Sequence, residues 1–393
     1  MHCDFDQIID RCHSDSTKWC RYDEDVLPLW VADMDFLAPE PVIHALQERV
    51  AHGVFGYGQA PDELREVVQE RLACLYGWRV ETDDIFFIPG VVSGFNLASR
   101  AIGAPGDEVL VEAPVYPPML AGPENNERVC KVVPLVEGAG RYEHDFDAFE
   151  RAITDRTSLF LLCNPHNPVG RVFEMAELER LAEICLRHGV VICSDEIHCD
   201  FIYQGHRHVP IASLAPGIAA RTITLLAPSK TYNIAGLSCS VAVVQDPELR
   251  ARLQQAGKGL VPHIGVLGYA AALAAYRDSQ DWLDELLVYL EENRDYVLGY
   301  VAAHMPGIRC YRPEGTFLAW LDCRATGIPG NPSQFFVECA RVALNDGATF
   351  GPGGEGFVRL NFGCPRETLT QALDRMRTAL AGASAAVGEG NMN

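Results

Sequence analysis

Basic residues are scarce in this sequence. Of its 393 residues, 32 are Lys or Arg and 53 are Asp or Glu, so the formal net charge is −21. The sequence contains no basic run and no basic patch interleaved with aromatic residues, although such patterns are typical of surfaces that bind nucleic acid. We therefore expect no nucleic-acid partner.

Long apolar runs and closely spaced cysteine pairs are also missing. Runs such as TSLFLLCNP have the length of a strand and are too short to cross a bilayer, so we expect no membrane association. The opening MHCDFDQIID lacks the basic and apolar regions of a signal peptide. The 14 cysteines form no CxxC pair, and the histidines show no metal-ligand spacing. These absences predict a reduced, cytoplasmic protein without a metal site.

Apolar residues, by contrast, make up 48% of the chain, which is enough for about two domains. Short apolar runs alternate with helical patterns from about residue 84 to residue 245. Continuous Val, Ile and Leu runs bounded by turns are typical of buried, mainly parallel strands. The predicted fold class is therefore α/β, with helices on both faces of a mainly parallel central sheet.

The pattern along the chain predicts three parts. Residues 1–45 would form an N-terminal arm that packs with a small domain or with a partner subunit. Residues 46–280 would form the large domain, which contains the central sheet. Residues 281–393 read as a smaller α+β domain, with predicted helices near residues 332–345 and 366–381. The predicted ligand site belongs to the large domain.

Four predicted strands run directly into polar or glycine-rich turns. IFFIPG is followed by a turn that opens a helix at Val91 and Val92, where free backbone N–H groups suit a phosphate. The other three strands lead to Asn167, Asp195 and Lys230. In an open α/β sheet, ligands bind at the carboxyl edge of the strands. We therefore expect these groups to lie together in one site.

This combination of groups matches the requirements of pyridoxal 5′-phosphate (PLP). The aldehyde of PLP forms a Schiff base with a lysine amine, and its ring nitrogen needs a carboxylate partner. Its phenolate oxygen accepts a hydrogen bond from an amide such as that of Asn167, and Tyr116 in APVYPPM offers a stacking surface. Singly, Lys230 could be a surface residue and Asp195 a helix cap. Their placement at successive strand ends favours the cofactor site.

Several motifs also give the chain a family resemblance over nearly its whole length. They are LWVADMDF, FGYG, PGVVSGFNLA, APVYPPM, NPHNPVGRVF, SDEIHCDF, APSKTYNIAGL and GFVRLNFGCPR. With these motifs, the sequence resembles the fold type I aminotransferase-like superfamily of PLP-dependent enzymes and, within it, the bacterial cystathionine β-lyase-like C–S lyases. NPHNPVG, DEIH and SKT are typical of the superfamily, whereas WVADMDF and RLNFGCPR are similar to the lyase branch.

The resemblance implies a role for each matching residue. Lys230 would bind the cofactor aldehyde, Asp195 the pyridinium nitrogen and Asn167 the phenolate oxygen. Tyr116 would stack on the ring, and Arg359 would hold the substrate α-carboxylate, which a guanidinium group binds through two parallel hydrogen bonds. Asn167 and Tyr116 would also contact the substrate. All five positions are occupied by the residue type that the proposed chemistry needs.

The same resemblance implies a homodimer whose active sites are shared between subunits. Tyr57 in FGYG would be a catalytic residue together with Lys230 and Asp195. Unlike those two residues, it would contact the cofactor phosphate of the neighbouring subunit. Two positions depart from the transaminase pattern. His198 stands where transaminases usually carry tyrosine, and we assign it no catalytic role. Ala227 replaces the usual phosphate-binding serine, so Ser229 would take over part of that task.

The implied reaction is an α,β-elimination. It would convert L-cystathionine or a related S-substituted L-cysteine to a thiol, pyruvate and ammonia. The alternative is a class I/II aminotransferase, because both reactions begin with removal of the Cα proton by Lys230. The residues alone leave the two reactions open, and only the family resemblance favours elimination. A purely regulatory binding protein would not need Lys230, Asp195 and Arg359 together.

Overall fold

The computed structural model describes residues 3–138 and 140–390. Its largest feature is a seven-stranded central sheet, in which Ser240–Val243 runs antiparallel to both neighbours and the other neighbouring pairs are parallel. The predicted α/β class with a mainly parallel sheet is therefore confirmed. The strands, from edge to edge, are Ile85–Ile88, Ser240–Val243, Thr222–Leu226, Val191–Asp195, Thr157–Cys163, Glu108–Ala113 and Val129–Pro134.

Burial on both faces explains why these strands read as continuous apolar runs. Every residue of Val191–Asp195 and of Thr222–Leu226 is buried. One face of the sheet packs against an apolar cluster that includes Phe95, and the other against a cluster that includes Phe160 and Leu181. With both faces covered, side chains can reach solvent or ligand only at the ends of the strands.

Helices form most of the remaining structure. Their bounds are Glu40–Ala51, Asp62–Tyr76, Val91–Ala101, Pro117–Asn125, Phe146–Ala152, Met175–Arg187, Pro216–Ala219, Pro228–Thr231, Pro247–Gly257, Val266–Asp278, Gln280–His304, Pro332–Phe335 and Arg366–Gly390. Short 3₁₀ segments lie at Thr82–Asp84, Ile211–Ser213, Ala235–Leu237 and Gly347–Phe350. Within the described part of the chain, none of the helices combines the length and the apolar character that crossing a membrane requires.

A second sheet, with four antiparallel strands, lies in the C-terminal part of the chain; we call it the C-terminal sheet. Its strands, in spatial order, are Arg309–Cys310, Leu318–Asp322, Phe357–Asn361 and Asn345–Asp346. A separate ribbon pairs Val136–Glu137 with Tyr142–Glu143. The C-terminal sheet contributes Phe357–Asn361, and therefore Arg359, to the region described below.

The N-terminal arm packs against the C-terminal part of the chain. Leu27–Pro28 pairs in parallel with Val342–Ala343. Met34 and Phe36 lie in the same apolar cluster as Leu360. The arm is thus fixed to residues more than 300 positions away in sequence. The domain limits at residues 45 and 280 stay predictions.

The predicted helix near residues 332–345 is wrong in its second half. Pro332–Phe335 is helical and is followed by a π-helical turn at Phe336–Ala340, after which Arg341 adopts a φ of 54°. Beyond Arg341, the strands Val342–Ala343 and Asn345–Asp346 form instead. Their pairing with distant segments outweighs the local helical pattern. The last helix, in contrast, is longer than the predicted 366–381.

Candidate active site

A cavity of about 430 Å³ lies at the carboxyl edge of the central sheet. Its volume falls in the range of small-ligand sites. The side chains of Lys230, Asp195, Asn167, Tyr116 and Arg359 line it together. The structure thus brings five of the predicted site residues into one place, although their chemical roles stay proposals.

One end of the cavity is formed by the start of the helix Val91–Ala101. The N–H groups of the first helical turn have no acceptor within the helix, and Val91, Val92 and Ser93 line the cavity. Gly90 precedes the helix with a φ of 122°, a conformation that favours glycine. At Gly94, an added Cβ would lie 2.6 Å from Cδ1 of Ile88, so the helix packs closely on the sheet. This end of the cavity can accept a phosphate.

Lys230 is carried into the cavity by the short helix Pro228–Thr231, which follows the strand Thr222–Leu226. Its Nζ donates a hydrogen bond of 2.6 Å to the carbonyl oxygen of Ala32 in the N-terminal arm. Burial lowers the pKa of Lys230 to about 8, and the carboxylate of Asp33 acts in the opposite direction. At pH 7 roughly one amine in ten is therefore neutral and nucleophilic, a much larger fraction than for an ordinary lysine.

Asp195 ends the strand Val191–Asp195 and is almost completely buried. Its Oδ1 accepts a hydrogen bond of 3.1 Å from the backbone N–H of Ile197. Burial raises the pKa of Asp195 to about 7. A cation beside the carboxylate would offset this burial and favour the ionised form. The protonated ring nitrogen of PLP is a cation of this kind.

Arg359 and Asn167 are joined by a buried hydrogen bond. Nη1 of Arg359 donates to Oδ1 of Asn167 at 3.0 Å, and Nη2 donates to the carbonyl oxygen of Trp30 at 2.7 Å. Both acceptors are neutral, and burial lowers the pKa of Arg359 to about 10. Since its Oδ1 is engaged, Asn167 keeps Nδ2 as the side-chain donor for a ligand.

The Nε atom of Arg359 adds a further sign of a missing partner. It is buried and has no hydrogen-bond partner in the structure. A buried donor that lacks a partner is unfavourable unless a ligand supplies the acceptor. An anionic group such as a carboxylate would satisfy this guanidinium. Together with the amine, the buried carboxylate and the helix N-terminus, this arrangement fits PLP and an attached amino acid.

Ser229 and His198 also line the cavity. The position of Ser229 is compatible with its predicted contact to the phosphate. His198 is buried, its Nδ1 has no partner, and burial lowers its pKa to about 3. The imidazole is therefore neutral at physiological pH. This state argues against His198 as a base that releases and takes up protons near neutrality.

Tyr57 is the one predicted site residue that lies away from this cavity. Its side chain is fully exposed, with a relative accessibility of 103%, and it is not among the cavity-lining residues. Val54 and Phe55 beside it are also exposed. Tyr57 therefore does not contribute to the cavity of its own chain in this structure, and its predicted role stays a prediction.

The N-terminal arm contributes a wall of the cavity that was not predicted from the sequence. Trp30, Val31 and Ala32 line the cavity, and the carbonyl oxygen of each accepts a side-chain hydrogen bond, from Arg359, Asn361 and Lys230 respectively. The motif WVADMDF marked this segment as important. Any residue type can make a contact through its backbone carbonyl. The motif therefore did not predict which of its residues would line the cavity.

Comparison with known proteins places these features in a family. Residues 24–376 match the family model of aminotransferase class I and II. The chain is 40% identical over 388 residues to cystathionine beta-lyase PatB of Bacillus subtilis (strain 168), a match that covers 96% of this chain and all of PatB.

Two solved structures are similarly close. The crystal structure of OvoB has a TM-score of 0.92 and 45% identity, and the match covers 96% of this chain and 98% of that chain. Cystalysin from Treponema denticola, crystallised with its pyridoxal 5′-phosphate cofactor, has a TM-score of 0.93 and 33% identity, with 97% and 100% covered. The chain belongs to the aminotransferase class I and II family of PLP-dependent fold type I enzymes, in its C–S lyase branch.

Proposed function

We propose that the protein is a PLP-dependent C–S β-lyase. Its substrate would be L-cystathionine or a related S-substituted L-cysteine, and its products a thiol, pyruvate and ammonia. The observation that carries the proposal is the convergence of Lys230, Asp195 and Arg359 on one cavity. The near full-length similarity to cystathionine beta-lyase PatB supports the choice of reaction.

Arg359 and Lys230 would act directly on the substrate. Arg359 would bind the α-carboxylate and so fix the orientation of the Cα–H bond, with Asn167 held in place by the same guanidinium. When bound, PLP supplies an electron sink that stabilises negative charge at Cα. Nζ of Lys230 would then take the Cα proton, a task suited to an amine whose pKa is lowered to about 8.

Asp195 and the helix Val91–Ala101 would hold the cofactor. The carboxylate of Asp195 would keep the ring nitrogen protonated, and Tyr116 would stack against the ring. The first N–H groups of the helix and the hydroxyl of Ser229 would bind the phosphate. Loss of a thiolate from Cβ is favourable compared with most leaving groups, because a thiol has a pKa of about 8.5.

A product assay tests this proposal and the aminotransferase alternative together. The purified protein, loaded with PLP, is incubated with L-cystathionine, with L-cystine and with an amino-acid and keto-acid pair. We expect equimolar pyruvate and homocysteine from L-cystathionine, pyruvate and a persulfide from L-cystine, and little transfer of the amino group. Transfer to the keto acid without pyruvate formation would show that the protein is an aminotransferase.

We also propose a cytoplasmic homodimer with shared active sites. All 14 cysteines are free thiols in the structure, which suits a reducing compartment. Val54, Phe55 and Tyr57 expose an apolar strip on one short segment, with relative accessibilities of 60%, 58% and 103%. A second copy related by a two-fold axis would cover this strip and receive Tyr57 at its own cavity.

Mixing two inactive variants tests whether Tyr57 acts in the partner. A Lys230→Ala subunit and a Tyr57→Phe subunit, each severely impaired alone, are combined under conditions that allow exchange. If Tyr57 acts across the interface, each heterodimer has one site with both defects and one intact site. Random exchange of equal amounts should then restore about one quarter of the wild-type sites.

The matched control mixes Lys230→Ala with Asp195→Ala. Both residues line the cavity of the same chain, so every site in that heterodimer keeps one defect and no activity should return. Native mass spectrometry measures the fraction of heterodimer in each mixture. Heterodimers of the first pair that form but stay inactive would show that Tyr57 does not complete the neighbouring site.

A further inference from the structure

The short helix that carries Lys230 is anchored by a contact outside the cavity. Its last residue, Thr231, is completely buried, and its Oγ1 donates a hydrogen bond of 2.7 Å to Oδ2 of Asp200. The side chain of Asp200 is only 5% exposed, and this residue follows Asp195 closely in sequence. Neither Thr231 nor Asp200 lines the cavity. The contact therefore joins the helix of Lys230 to the segment that follows Asp195.

The partner of Thr231 is unusual for a threonine beside a helix. Such hydroxyls commonly donate to a carbonyl three or four residues earlier. Thr222 follows this pattern, because its Oγ1 donates a hydrogen bond of 2.8 Å to the carbonyl oxygen of Ile218. Thr231 instead donates to a carboxylate that is 31 positions away in sequence. Since hydrogen bonds to a charged acceptor are roughly twice as strong as neutral ones, Thr231 is held firmly from outside its own helix.

Asp200 is itself fixed by Arg71. Nη2 of Arg71 donates a hydrogen bond of 2.6 Å to Oδ1 of Asp200, and Nη1 donates to Oε1 of Gln280 at 3.0 Å. The guanidinium carbon lies 5.4 Å from the centre of the Tyr276 ring. Each carboxylate oxygen of Asp200 thus has a donor on a different element of the fold. Asp200 is therefore a rigid support for Thr231.

The helix Pro228–Thr231 is too short to fix its own orientation, because a single turn forms few hydrogen bonds of its own. Pairing between the two neighbouring strands aligns Asp195 with Leu225 and ends there. Beyond this pair, the hydrogen bond from Thr231 to Asp200 joins the two segments again. The orientation of the short helix relative to Asp195 therefore depends on this contact.

We propose that Asp200 is a positioning residue that acts on Lys230 through Thr231. Through this contact, it sets the placement of the lysine amine relative to the carboxylate of Asp195. The inference rests on the proposed function, in which Lys230 and Asp195 bind opposite ends of PLP. Because the PLP ring is rigid and planar, the protein has to match the separation between its aldehyde and its ring nitrogen. A displacement of about 1 Å at a reacting group can lower a rate by about 100-fold.

The test compares two substitutions of Thr231 in the cofactor-loaded protein. Thr231→Val keeps the branched shape of the side chain and removes the hydroxyl, whereas Thr231→Ser keeps the hydroxyl. Circular dichroism in the visible absorption band of the bound cofactor reports the orientation of the cofactor and requires no turnover. We expect Thr231→Val to change this signal and to lower kcat by about 10- to 100-fold. Thr231→Ser should restore both the signal and kcat to nearly the parent values.

Thr222→Val is the matched control. It also removes a buried threonine hydroxyl and its hydrogen bond, but this hydroxyl contacts Ile218 and not Asp200. We expect a lower Tm in both Val variants, and a changed dichroism and kcat only in Thr231→Val. Rates are normalised to the amount of Lys230 that borohydride labels, so loss of folded protein does not count as loss of activity. Equal changes of dichroism and kcat in both Val variants would overturn the inference.

Asp200→Asn tests whether Thr231 acts through the carboxylate. We expect this variant to change the dichroism in the same direction as Thr231→Val. The double variant should be no more impaired than the worse of the two single variants, because both substitutions break the same contact. Fully additive losses would show that the two residues act independently and would contradict the inference. If Asp200→Asn does not fold, the Thr231 variants decide, and if Thr231→Val does not fold, the dichroism of Asp200→Asn decides.

Borohydride reduction and peptide mapping of the parent protein separate this inference from the proposed function. A label on Lys230, together with unchanged dichroism and kcat in Thr231→Val, would reject the role of Asp200 and leave the proposed function intact. A parent protein without a label on Lys230 would reject the proposed function and this inference with it.

Discussion

A Lys230→Ala variant should lose essentially all lyase activity, with a fall in kcat of about 10⁴-fold or more. The reason is that Lys230 supplies the amine at the cavity floor, where burial lowers its pKa to about 8. A methyl group can neither bind the cofactor covalently nor take a proton from Cα. Steady-state release of pyruvate and thiol measures the loss.

The composition of the chain makes the control for this experiment simple. The sequence has four lysines, Lys18, Lys131, Lys230 and Lys258, and Lys258 is exposed on a loop after the helix Pro247–Gly257. Lys258→Ala should therefore behave like the parent. Borohydride reduction should label one peptide, the one that contains Lys230, and the label should vanish in Lys230→Ala. A label that stays, or that maps to another lysine, would refute the assignment.

An Asp195→Asn variant should keep the cofactor but lower kcat by about 10³-fold. The amide has nearly the same shape and can still accept the hydrogen bond from the N–H of Ile197. It carries no charge, so it cannot hold the ring nitrogen in its protonated form. Bound cofactor is measured by absorbance, and catalysis by single-turnover kinetics. Activity within about threefold of the parent would exclude the role, since such a change is below 1 kcal/mol.

Glu196→Gln is the matched control for Asp195→Asn. Glu196 is the next residue and is also buried, but its carboxylate binds Ser194 and His208 and does not line the cavity. We expect Glu196→Gln to retain activity within about tenfold of the parent. Comparing the activities of the two variants distinguishes the effect of losing a charge beside the cofactor from the effect of losing any buried carboxylate.

The raised pKa of Asp195 gives the same prediction a pH dependence. In the cofactor-free protein, burial places the pKa of this carboxyl at about 7. Above that pH the carboxylate is ionised and attracts the cationic ring, and below it the neutral acid does not. The affinity of the cofactor-free protein for PLP should therefore weaken as the pH falls through about 7, and this dependence should be absent in Asp195→Asn.

The central sheet and the residues at its edge could be predicted because the signal is local. Strands buried on both faces produce continuous apolar runs, and parallel strands bring their carboxyl ends to one edge. Asp195 ends such a run, and Lys230 follows another within a few residues. The fold rule and the residue types together were enough to predict that they meet.

Features that depend on pairing between segments far apart in sequence could not be predicted from local sequence patterns. Val342–Ala343 lies within a sequence that looks helical, and only its pairing with Leu27–Pro28 makes it a strand. In the same way, Val31 and Ala32 line the cavity, and their carbonyl oxygens accept hydrogen bonds from Asn361 and Lys230, which are remote in sequence. Tyr57 presents a similar problem, since the surface it would contact belongs to another molecule.

The wall formed by the N-terminal arm has a consequence for synthesis of the protein on the ribosome. The carbonyls of Trp30 and Val31 are made early, but their donors Arg359 and Asn361 follow 329 and 330 residues later. At about 5–20 residues per second, that interval lasts roughly 15 to 65 s. A nascent chain can therefore complete its central sheet while the cavity still lacks one side. Enzymatic competence should therefore appear late, after the strand Phe357–Asn361 has been made and its side chains have bound the arm.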